Sequence, residues 1–132
     1  MRHIYILATF VVLCGPSAIA EPQTLPLPAW IAEQATAVKT KRAAIKEAAA
    51  YHNTICAKQA TDDKIKDCNV LLDAILARRD HEEDLLLDMI VAATLPDKIR
   101  DAKLPAMLSS FRETDAFTSE MAKKFSSVYP KQ

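Results

Sequence analysis

Two groups of side chains in this chain have the types and spacing to do chemistry. Cys56 and Cys68 flank a polar stretch, Lys58 to Asp63. A thiol pair so placed can close a disulfide or hold a metal as thiolates. His52 lies one helical turn before Cys56 and could add an imidazole to such a site. His81, Asp84 and Asp88 share one helix face beside Asp80, with Glu82 and Glu83 adding negative charge. That stripe would suit a divalent cation if a second helix brought further ligands. Bundles that hold two irons use Glu-x-x-His on paired helices, and that motif is absent here. A solvated acidic face is therefore the preferred reading of the stripe, with metal binding by His81, Asp84 and Asp88 as the alternative.

Nucleophilic chemistry has little to draw on. Ser109, Ser110, Ser119, Ser126 and Ser127 have no histidine near them in sequence. No Cys-x-x-Cys-His run is present, which excludes covalently attached haem. Met89, Met107 and Met121 could ligate a haem together with His52 or His81, but unbranched methionines at helical spacing usually fill a core. The expectation is a non-enzymatic chain without a cofactor.

Composition narrows the field further. Gly15 is the single glycine of 132 residues. A chain without glycine beyond that point cannot build a phosphate-binding loop, a dinucleotide fingerprint or a glycine-based nucleophile elbow. It also lacks the usual residue of tight strand turns. Arg2 and His3, the apolar run Ile4 to Leu13, the Gly15-Pro16 break and Ala18-Ile19-Ala20 read as a secretory signal cleaved before Glu21. The apolar run is short of the roughly 20 residues that span a bilayer. Removing Arg2 from the 17 basic side chains leaves 16, against 17 acidic ones. So even a balance argues against nucleic acid as a partner, which demands clustered positive charge.

The expected organisation is a signal peptide over 1–20, a proline-rich arm over 21–28 and a single helical domain over 29–132. The first helix should run from about Ala29 to Ala57. Its seam is Ile31, Ala35, Val38, Arg42, Ile45, Ala49, His52 and Cys56, in alternating steps of four and three. The second should run from about Asp62 to Ala93, capped by Thr61, with Asp62 and Asp63 in its first turn. Its seam is Ile65, Cys68, Leu72, Ile75, Arg79, Glu82, Leu86, Met89 and Ala93. Apolar residues on more than one side mark it as the central helix. Thr94 and Asp97 resemble a capping box, and Leu104-Pro105 reads as a break. That gives a short helix near Asp97–Lys103 and a last one near Ala106–Val128.

Pairing Cys56 with Cys68 turns the first two helices into an antiparallel hairpin and sets them in register. Arg42 then faces Glu82, with Arg79 one turn away. A buried charge without a partner is costly, so coincidence of the two polar interruptions supports the alignment. The sequence thus predicts an all-α fold: a small bundle built on a disulfide-stapled antiparallel hairpin, plus a C-terminal helix.

The disulfide and the leader point to the periplasm or to secretion. The expected function is binding of another protein, as an inhibitor or immunity protein or as an envelope accessory factor. Phe111, Phe117, Met121 and Phe125 are the candidate contact residues, because the last helix carries more apolar bulk than one short helix needs for its core; packing on the second helix is the competing reading for each of them. A periplasmic chaperone, a metal- or ligand-binding bundle and a self-associating protein are the alternatives.

Overall fold

The computed structural model describes residues 26–131. The leader and positions 21–25 of the arm lie outside the described residues. Three long helices make the fold: α1 (Leu27–Thr54), α2 (Asp62–Ala93) and α3 (Asp97–Val128). A one-turn 3-10 segment, Cys56–Lys58, follows α1. No strand occurs among the described residues.

The start of α1 lies two residues before the expected position. Pro28 sits in its first turn, where a missing N–H costs nothing, and Leu27 packs on the core. α2 has the expected limits. Thr61 accepts a hydrogen bond from the Lys64 backbone N–H at 3.3 Å, and Asp62 and Asp63 occupy the positive end of the helix.

α3 departs from expectation. It runs through Pro105 without a break. A proline inside a helix removes one hydrogen bond and costs about 3 kcal/mol. Leu104, Leu108 and Phe111 lie on the inward face beside it and are buried, each stabilising the fold by about 1.5–3 kcal/mol. Their combined burial outweighs the proline, whose ring points to solvent. Thr94 is also placed differently. It ends α2, donating from its hydroxyl to the Val91 carbonyl at 2.7 Å, and α3 begins after Pro96 without a side-chain cap.

α2 is central, with α1 and α3 packed against it. Both outer helices run antiparallel to α2, and so parallel to each other, as shown by which residues meet. One apolar cluster joins Trp30 and Val38 of α1, Leu86 and Met89 of α2, and Leu104, Leu108 and Phe111 of α3. The second lies at the other end and joins Cys56, Cys68, Leu72, Ile75, Phe125 and Tyr129. Here the Tyr51 ring meets Phe125 edge-on at 5.3 Å, and Phe125 leans on Tyr129 at 5.1 Å. The Cys56–Cys68 disulfide closes this end, with Cα atoms 5.4 Å apart. In the chain-entropy picture such a short loop adds roughly 3 kcal/mol.

Three helices in this arrangement cannot enclose α2 completely. Val70, Leu71, Leu87 and Val91 remain exposed on it.

Candidate functional site

Between the two apolar clusters lies a layer of charge. Glu82 is fully buried on α2, and its Oε2 accepts from Lys41 Nζ of α1 and from Arg79 of α2, each at 2.8 Å. Asp115 of α3 takes both cations as well, Arg79 at 3.1 Å and Lys41 in closer contact. Arg79 also reaches the Ser119 hydroxyl at 3.5 Å, and Lys41 lies over the Phe111 ring. Two cations and two anions from three helices thus neutralise one another in the interior. Glu82 Oε1 has no hydrogen-bond partner among the described residues.

The expected ion pair Arg42–Glu82 is corrected by this geometry. Arg42 is largely exposed and bonds Glu83 at 2.5 Å, while Lys41 takes Glu82. One residue along a helix turns a side chain through 100°. The long lysine stem enters the seam from the flank and leaves the guanidinium of Arg42 in water. The hairpin register survives, because both pairs straddle the expected one.

The acidic stripe holds no metal geometry. His81, Asp84 and Asp88 are exposed on α2. Among the described residues, no group of three or more His, Cys, Asp or Glu side chains is placed to bind an ion. The stripe faces outward, away from α1 and α3, so neither neighbour supplies the missing ligands. His52 serves as a strut between helices instead, set between Asn69 at 2.8 Å and Asp73 at 3.1 Å.

The four residues expected to contact a partner separate into two pairs. Phe111 and Phe125 are buried, one in each core cluster. Phe117 is 54% exposed, with the Arg78 guanidinium 4.3 Å above its ring. Met121 is half-buried beside it. Together with Leu71 of α2 and Val128, itself 65% exposed, they form an apolar edge where α2 meets α3. Phe117, Met121, Lys124 and Val128 recur in steps of four, three and four, the spacing of a helix-contacting stripe. That spacing was available in the sequence, but nothing there distinguishes a stripe that packs inward from one that faces out. Leu71 and Arg78 emerge as members of this edge only from the docking of α3.

At the other seam of α3, the Lys131 ammonium bonds the Glu47 carboxylate across to α1 and lies 5.4 Å from the Tyr51 ring. The hydrogen bond from Lys131, and then its charge, hold Glu47 below the usual carboxylate range. The same bond raises Lys131.

No family model, curated protein or solved structure matches this chain. Among the described residues no helix is long and apolar enough to cross a membrane.

Proposed function

We propose that this chain is an exported, non-enzymatic helical protein that binds another protein through the α2/α3 edge, as an inhibitor, immunity or envelope accessory factor. The supporting observation is Phe117. A phenyl ring more than half exposed on a helix, bordered by Leu71, Met121 and Val128, is apolar area that packing within the chain leaves unused. The frame that carries it is stiffened by the Cys56–Cys68 staple and by charges that tie all three helices together. A stiff frame keeps the ordering cost of association low.

A disulfide fits an oxidising compartment, in keeping with the leader read at positions 1–20. The edge is short, about 16 Å from Phe117 to Val128 at 1.5 Å per residue. That favours one defined partner over the varied clients of a chaperone.

Cross-linking and affinity capture from the exported fraction test the reading, comparing the oxidised wild type with Phe117→Ser. The expected result is a discrete species captured by the wild type and lost with the variant. Identical capture by both, or none by either, would overturn it.

A further inference from the structure

The α2/α3 edge contains a groove of about 160 Å³ lined by Leu71, Ile75, Met121, Lys124, Phe125 and Val128. Sites for drug-sized molecules run from about 300 to 1,000 Å³, so this one has room for a few side chains. Resting on the protein-binding reading above, we propose that its occupant is an amphipathic helix of the partner. That helix carries bulky apolar residues at i, i+4 and i+7 and acidic residues along their flanks.

Three arguments select this occupant. The first is area. An edge about 16 Å long and one helix diameter, about 10 Å, wide covers far less than the roughly 800 Å² that each partner buries in a standard interface. A second copy docked on this edge alone falls short, whereas one helix seated in a groove is anchored by three or four side chains. The second is charge. Arg78 and Lys124 border the apolar strip, Arg78 being held over Phe117 at 4.3 Å. Lys124 has only a loose contact with Glu120, 3.8 Å apart and exposed on both sides. Such a pair is worth little in water, so both cations can turn to carboxylates on an incoming helix. The third is reach. An arm of six residues, Glu21 to Pro26, extends at most about 21 Å. The groove lies at the far end of α1, whose 28 residues span about 42 Å. The arm left after cleavage at Ala20 therefore cannot fill it.

The test uses the intact, oxidised protein and two synthetic 15-residue helical peptides. Both carry leucine at i, i+4 and i+7. One is flanked by glutamates and the other by lysines. Fluorescence anisotropy should show the glutamate peptide binding at least tenfold more tightly. Phe117→Ser should weaken it at least tenfold, and the double variant R78E/K124E should reverse the preference. All three positions are exposed, and unchanged melting curves will show that the variants fold.

Equal binding of the two peptides, or no binding, overturns the acidic-helix inference. If a species is still captured through Phe117 in that case, the protein-binding reading stands without it. Loss of both peptide binding and capture removes the two together. Sedimentation showing a dimer that Phe117→Ser dissociates would replace the helix with a second copy.

Discussion

Glu82→Gln puts the interior charge layer to its hardest test. The substitution keeps the shape and removes one negative charge from a fully buried site. Lys41 and Arg79, each 2.8 Å from Oε2, would then share Asp115 alone. Removing one member of a buried ion pair costs about 3–5 kcal/mol. Lys41 and Arg79 retain 14% and 12% side-chain exposure, which lets water relieve part of the imbalance. The expected loss is thus near the lower limit, about 3 kcal/mol. At 4–8 °C per kcal/mol, Tm should fall by roughly 12 °C or more. Urea unfolding followed by circular dichroism should show the midpoint lower by about 1–2 M, with unchanged slope. A cycle with Lys41→Met should return a coupling of about 1–3 kcal/mol. A loss below about 0.5 kcal/mol, or additive effects of the two substitutions, would refute the assignment of Glu82 as the counter-charge of Lys41. Replacing the set with Lys41→Met, Arg79→Met and Glu82→Leu should restore most of the stability, since well-packed apolar groups often equal a buried ion pair.

Other outcomes follow from the same geometry. Cys56→Ser with Cys68→Ser should lower stability by about 3 kcal/mol, and reductant should have the same effect on the wild type and none on the variant. Pro105→Ala should stabilise the chain by up to about 3 kcal/mol in chemical denaturation, because it restores an N–H for the Asp101 carbonyl; a destabilised variant would refute that accounting. The Glu47–Lys131 contact should weaken at both extremes of pH. Glu47 is depressed in the folded chain, so its contribution holds above its unfolded pKa and is lost as pH falls through the folded value. Lys131 is raised, so its contribution holds below its unfolded pKa and is lost as pH rises through the folded value. Carboxyl NMR titration should place Glu47 below a free glutamate, and Lys131→Ala should return it to the ordinary range.

Much of the frame is written in local residue choice. The limits of α2 follow from Thr61, the two aspartates behind it and a regular three-and-four seam, interrupted only at Arg79 and Glu82, that ends at Ala93. The staple follows from two cysteines on matching seams, and it carries the register with it. The partner surface was legible only in part. Phe117 and Met121 could be named from bulk, yet Phe111 and Phe125 carry the same signal and point inward.

Residue types and their periodicity determined that this chain would be helical, hinged near Lys58–Asp63 and tied by Cys56 and Cys68. Those features depend on contacts within one helix or between neighbours in sequence. Tertiary packing alone decided that Lys41 and not Arg42 meets Glu82, that Asp115 completes the charge layer, and that Pro105 lies inside a continuous helix. Each of these depends on the rotation of one helix against another. A turn of 100° separates adjacent residues, and the rotation is fixed by the summed fit of the whole interface.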